Sequence, residues 1–300
     1  MEVRTRKSSL MEGVAAGVLF GTAAIFIRFL QSLDSFSIVF WRLVIACLAL
    51  ATLSVVFSRS FQPKLVKENI KELFVLSIFI GLHFIFFTAS VKDTTILNAT
   101  VLVNTVPFFS MLISSFVFKL KPSRFALAGL AISFVGVCLI AFGETTAART
   151  VSQSALSSLK GDLEAVLAAL VLAFYLNYGR KVRSQMSILS IMLPIYAFTA
   201  AVVAILSVPT GNTVSLLPFL PATILPLIGL GLLPTAIAHT LYFSSLSNFK
   251  SFETATMALL EPIGATILGI AVFQEIPALV FALGAVLVLS GILFTIRNGS

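Results

Sequence analysis

Apolar runs follow one another along the whole chain, separated by short polar stretches, and each run is apolar all round. Strict alternation would mark barrel strands, whereas unbroken runs of about 20 apolar residues have the length at which a helix crosses a bilayer core of about 30 Å. The pattern predicts ten spans. They cover Leu10–Leu30, Phe36–Phe57, Leu73–Val91, Thr95–Phe118 and Phe125–Phe142, then Asp162–Gly179, Ile188–Val208, Phe219–Leu246, Glu253–Phe273 and Ala278–Ile296. The eighth carries Pro221, Pro226 and Pro234, so its beginning is expected to be a loop or a kinked half-turn.

The pattern also repeats. Asn98–Gly136 returns as Glu253–Gly291, with Pro107 answering to Pro262, Pro122 to Pro277, Gly129 to Gly284 and Gly136 to Gly291. All four pairs share the offset 262 − 107 = 155, and four matches in one register point to an internal duplication. The expected organisation is a first repeat over 1–143 (spans one to five), an outer linker over 144–160 and a second repeat over 161–300 (spans six to ten). Five spans per half turn the second repeat upside down. Inverted halves can exchange roles around a midplane site, which is the logic of a secondary transporter. A stable two-fold architecture without transport is the other reading of the same pattern.

Composition agrees with burial in lipid. The 300 residues are 58% hydrophobic and 11% charged, with mean hydropathy +1.07, against roughly 25% charged in soluble domains. A net charge of +8 and pI ≈ 9.8 would suggest nucleic acid in a soluble protein, but here the cations fall in short loops. With the N-terminus inside, the inner segments hold Arg4, Arg6, Lys7, Arg59, Lys64, Lys67, Lys71, Lys119, Lys121, Arg124, Arg180, Lys181, Arg183, Lys250 and Arg297. The outer segments hold Lys92, Arg149 and Lys160, so fifteen cations stand against three. The expected topology is N-in/C-in, with both termini cytoplasmic in a plasma (inner) membrane protein and no nucleic-acid partner. Arg4–Lys7 followed by Gly13–Phe29 has the outline of a signal peptide, but no small-residue cleavage site with a polar mature chain follows, so it is read as a retained span. Cys47 and Cys138 both lie in apolar runs and read as packing residues, and no P-loop occurs.

Several motifs resemble the drug/metabolite transporter superfamily, in particular its EamA-like ten-helix carriers. Gly161-Asp162-Leu163 leading to Ala173-Phe174-Tyr175 and Arg180-Lys181 is similar to the family's sixth helix. Leu259-Leu260-Glu261-Pro262 through Phe273-Gln274-Glu275 resembles its ninth, with Gln274 in place of Gly. Phe20-Gly21 stands where the family often has Trp-Gly, and Trp41-Arg42 resembles the Arg opening its second helix. Leu120 departs from the pattern, lying where a Glu would match Glu275. The resemblance implies a cavity between the first, third, fourth, sixth, eighth and ninth helices, and export of amino acids or related metabolites.

Ionisable groups inside spans are costly and each needs a reason. Glu261 precedes Pro262, where a missing backbone donor creates a polar break, so it is a candidate to bind a cationic group or carry a proton. His83 and His239 are the only histidines, 156 residues apart and so one step off the repeat; they read either as packing residues or as candidates for the cavity, His239 also for proton coupling. Tyr175 shares a sixth-helix face with Glu164, Ala168, Val171 and Tyr178 and suits a ligand with apolar and polar parts. Asn104 lies just before Pro107 with Thr100 on the same face, and either lines the cavity or knits helices together; Asn98 and Asn177 are weaker versions of the same case. Phe20 is the phenylalanine near the midplane with a cavity role. Arg28 and Arg42 read as anchors near outer helix ends, Arg42 snorkelling or pairing with Asp34, and Glu275 as a cap.

The expected function is therefore a secondary-active or facilitative transporter moving small organic solutes by alternating access, with no cofactor or metal, as a monomer or homodimer. The few internal charges argue against polyanionic substrates and favour amphipathic or zwitterionic ones. A membrane-embedded enzyme would need a Ser–His, Asp–Asp or H-E-x-x-H constellation, and a passive channel a selectivity ring; neither is visible.

Overall fold

Where each helix stops is decided by a few residues. The computed structural model describes residues 5–56, 61–120, 122–147, 159–208, 221–273 and 279–297, and all regular structure among them is helical. Helix α1 (Arg6–Phe20) is capped by the Thr5 hydroxyl, which accepts from the Ser8 N–H at 3.2 Å. After a break at Gly21–Thr22 the pass continues as α2 (Ala23–Phe29). Helix α3 (Ser35–Val56) follows, then a short α4 (Pro63–Glu68) and α5 (Ile70–Asp93). Helices α6 (Ile96–Val103) and α7 (Val106–Phe116) share the next pass, and α8 (Arg124–Ala147) ends the first half.

The second half opens with α9 (Leu159–Arg183) and α10 (Ile188–Ser207). Then α11 (Pro221–Leu230) runs through a π-helical stretch, Gly231–His239, into α12 (Thr240–Ser245). Helix α13 (Ser251–Met257) passes through a 3₁₀ turn, Ala258–Leu260, into α14 (Glu261–Phe273), and α15 (Leu279–Arg297) closes the chain. Joined across their breaks, these segments form ten helical units. Eight of the units are long and apolar enough to cross a membrane, as expected for an all-α integral membrane protein.

The eighth pass departs from its expected form. It is helical through Pro221 and Pro226, and the irregularity comes at Pro234. Pro221 stands at the first position, where its missing N–H has no carbonyl to lose, whereas Pro234 sits deep in the pass and withdraws a donor from Leu230. Of the motif residues, Gln274, Glu275 and Pro277 lie outside the described residues, as does most of the linker between the halves.

Small residues set the closest approaches. Gly13, Gly17 and Gly21 form one stripe of α1, spaced four apart, that faces Met257, Leu260 and Gly264–Ala265. A Cβ on Gly21 or Gly264 would overlap the opposing backbone, so the first and ninth passes touch main chain to main chain. A second seam joins α8 to α15. Gly129 meets the Gly291 carbonyl and Gly136 meets the Gly284 carbonyl, so these repeat-equivalent helices run antiparallel. At the midpoint Ser133 Oγ donates to Val288 O at 3.2 Å across 155 residues. The opposite side of α15 leaves Leu279, Leu283, Val286 and Leu293 exposed at helical spacing, a surface suited to lipid.

Candidate functional site

Four interrupted passes converge on one cavity. Phe20 and Ala23 flank the break in the first pass, Val103, Asn104 and Val106 the break in the fourth. Pro234 and His239 come from the π-helical stretch, and Ala258 and Glu261 flank the 3₁₀ turn of the ninth pass. Arg42 from α3, His83, Phe84 and Phe87 from α5, and Leu172 from α9 complete the lining of a small cavity of about 40 Å³. The breaks of the fourth and ninth passes fall in the same register of the repeat: α7 starts at Val106 and α14 at Glu261, and 261 − 106 = 155.

Each proline explains its own break. Pro262 has no N–H for the Ala258 carbonyl, which instead receives the Glu261 N–H, tightening that turn to 3₁₀. Pro234 has no N–H to give the Leu230 carbonyl in the α-helical pattern, and the bonding shifts to the π-helical one. The Thr235 hydroxyl donates to Leu230 O at 2.6 Å, while the Tyr196 hydroxyl donates to Thr235 O at 2.8 Å. Because the Thr235 hydroxyl spends its proton on Leu230, its oxygen is left to accept, and Arg42 Nε donates to it at 2.8 Å.

Arg42 is the residue the sequence reading placed differently. Expected as an anchor at an outer helix end, snorkelling or paired with Asp34, it is 1% exposed and has no contact with that carboxylate. Asp34 instead caps α3, accepting from the Ser37 N–H at 3.0 Å and from its hydroxyl. The Arg42 guanidinium lies over the Phe84 ring, 4.1 Å from its centre, and its Nη1 is buried without a hydrogen-bond partner. The signal was present: a cation two turns inside α3 is too far from the helix end to reach the interface easily.

The other polar groups arrive on separate helices. Asn104 Nδ2 donates to the Thr100 carbonyl at 2.8 Å and to Glu261 Oε2 at 3.2 Å, joining the two equivalent breaks. His83 Nδ1 lies 3.0 Å from the Ala168 carbonyl, which can only accept, so Nδ1 carries the proton and Nε2 is left for other use. His83 and His239 stand edge to face with ring centres 5.8 Å apart. His239 is further enclosed by Phe84 at 4.8 Å and Phe20 at 4.7 Å, and its Nδ1 has no hydrogen-bond partner.

The site thus brings together Phe20, His83, Asn104, His239 and Glu261 of the residues singled out from sequence, and adds Arg42. Tyr175 lies apart: its hydroxyl meets Met192 Sδ at 3.6 Å and its ring tilts against Phe243. Leu172, one turn before it, faces the cavity instead. Asn177 knits helices, contacting Ser110, Ser114 and Ala173. Asn98 and Thr94 both donate to Asp162, and Arg28 donates to the Thr94 carbonyl at 2.9 Å, holding the ends of four passes together. Among the described residues no group of His, Cys, Asp and Glu is arranged to hold a metal ion.

Comparison with known proteins accounts for both halves. The family model of the EamA-like transporter family matches residues 8–142 and 159–297. An uncharacterized transporter of Archaeoglobus fulgidus is 26% identical over 287 residues, covering 93% of each chain. The uncharacterized transporter YdfC of Bacillus subtilis is 28% identical over 269 residues, covering 85% of this chain and 79% of that protein. A solved crystal structure superposes with a TM-score of 0.75 over 98% of both chains at 16% identity, a likeness of fold.

Proposed function

The chain belongs to the EamA-like transporter family, and on that premise we propose that it is an alternating-access carrier of small organic metabolites, with amino acids or related amphipathic solutes as substrates and export as the direction. It is a multi-pass membrane transporter and not an enzyme. The observation that carries the reading is the convergence of four helix breaks on a cavity holding Arg42, His83, His239 and Glu261. Helices broken at the site free backbone and side-chain polar groups to meet a solute in the middle of an apolar protein.

The antiparallel run of α8 and α15 supports inverted repeats, and the cation bias of the loops supports cytoplasmic termini in the plasma membrane. The carrier acts as a monomer or a homodimer. Glu261 is the proposed proton carrier, with His239 second; in the absence of coupling the protein is a facilitator. The charged and titratable groups around Glu261 are Arg42, His83 and His239 in the cavity lining, and Tyr242, which packs edge-on to Phe20.

Solute exchange in proteoliposomes tests this. Vesicles are loaded with a mixed pool of amino acids and related amines, and efflux is followed with and without a pH gradient. Saturable efflux of a few members is expected, with gradient dependence that Glu261→Gln removes. Absence of efflux from well-folded protein would remove the amino-acid assignment, and an unchanged pH response in E261Q would remove Glu261 as the proton carrier.

A further inference from the structure

The cavity holds a cation that the fold leaves partly unanswered. The geometry points to Arg42 as the binding site for a carboxylate group of the transported solute, an assignment that rests on the carrier reading above. Three observations converge. Arg42 is 1% exposed yet its Nη1 has no hydrogen-bond partner, and an unpaired charged donor in a dry site is strongly disfavoured unless something else fills it. The guanidinium is also held in place from two sides, by Thr235 Oγ1 on Nε and by the Phe84 ring beneath Cζ. Thirdly, it lies in the lining of the cavity where the broken helices meet.

A structural role would be served by an acid, and among the described residues none pairs with Arg42. Glu261 lines the same cavity but is held by Asn104, and no ion pair joins it to Arg42. Arg42 on α3 and Glu261 on α14 are thus separate members of the lining, which they share with the apolar Phe20, Phe87 and Leu172. A solute bearing one carboxylate would give Nη1 the charge-assisted hydrogen-bond acceptor that it lacks. A single guanidinium in a lining that also carries an acidic residue disfavours dianions such as phosphate monoesters, which require clustered cations.

Thermal unfolding of the purified full chain in detergent reads this without requiring transport. The probes are phenylalanine and leucine, their carboxamides, the amines lacking the carboxyl group, and inorganic phosphate. The expected result is a raised unfolding temperature with the carboxylates alone. Arg42→Gln should weaken that response roughly tenfold or more in concentration, and Arg42→Lys, which keeps the charge but loses the planar fork, should weaken it less. A wild-type response to carboxylates in R42Q overturns the assignment; if R42Q does not fold, R42K carries the test and a wild-type response in R42K overturns it.

Equal responses to carboxylates and carboxamides, no response to any carboxylate, or a response to phosphate that matches or exceeds theirs also overturn it. Exchange of the same compounds in proteoliposomes separates this failure from failure of the carrier reading. Amides or amines that exchange through the wild type keep the carrier and discard the carboxylate site. Carboxylates that bind without exchanging keep the site and discard the carrier.

Discussion

Two pairs of repeat-equivalent helices have been put to opposite uses. The fifth and tenth passes, α8 and α15, are continuous, and glycine faces backbone along their seam. The fourth and ninth are each broken at the same register, before Pro107 and Pro262, and an Asn104–Glu261 hydrogen bond connects them. Continuous helices with small residues gain close packing and satisfy their own backbone. Broken ones give up backbone bonds and gain polar groups in the interior. Close backbone packing is found along the first pair and interior polar groups at the second, although both pairs share one sequence pattern.

Substitutions can break that division. The largest expected effect is from Glu261→Gln, which should reduce solute exchange by roughly tenfold or more while leaving the unfolding temperature nearly unchanged. Wild-type exchange rates in E261Q would move the chemistry elsewhere. Gly291→Val should do the reverse. A side chain there overlaps Ser133 and the Gly129 carbonyl, so we expect a loss of about 1–3 kcal/mol of stability. Solute preference in the folded fraction should be unaltered. Altered preference with intact stability would erase the distinction between the pairs.

Thr235→Val is expected to act on both quantities. It strips the Leu230 carbonyl and Arg42 Nε of their partner, at about 1–3 kcal/mol. Unfolding in detergent should register the loss, and exchange assays should show weakened discrimination among solutes. The smallest effects belong to the histidines. His83→Ala and His239→Ala should each shift half-saturating solute concentration by about tenfold or less, the scale of a lost aromatic contact. Normal transport in both would return the rings to packing.

How much of this was visible beforehand differs between fold and site. Helical passes were legible because apolar runs of membrane length admit few other readings, and the duplication because prolines and glycines hold their register. The place of Glu261 and Asn104 in the cavity lining was legible because each is a polar residue close to a proline inside an apolar run. Arg42 was misplaced because hydropathy does not say which face of α3 turns inward, and its partner Thr235 lies 193 residues away. The irregularity of the eighth pass was expected at its beginning, from Pro221, Pro226 and Pro234 together, and comes at Pro234, where Thr235 and Tyr196 of another helix supply side-chain donors to the backbone carbonyls. Tyr175 was assigned to the ligand by its chemistry, but the turn of α9 gives Leu172 to the cavity and the tyrosine to Met192.

The α8–α15 seam has a further implication. Gly129 corresponds to Gly284 and Gly136 to Gly291, yet contact joins Gly129 to Gly291 and Gly136 to Gly284. Ser133 and Val288, equivalent to one another, meet where the axis would pass. Residue i meets j, and the counterpart of i meets the counterpart of j, which is the rule of an isologous contact between two identical subunits. The seam is a homodimer interface enclosed within a single polypeptide, and each half carries both sides of its own lock.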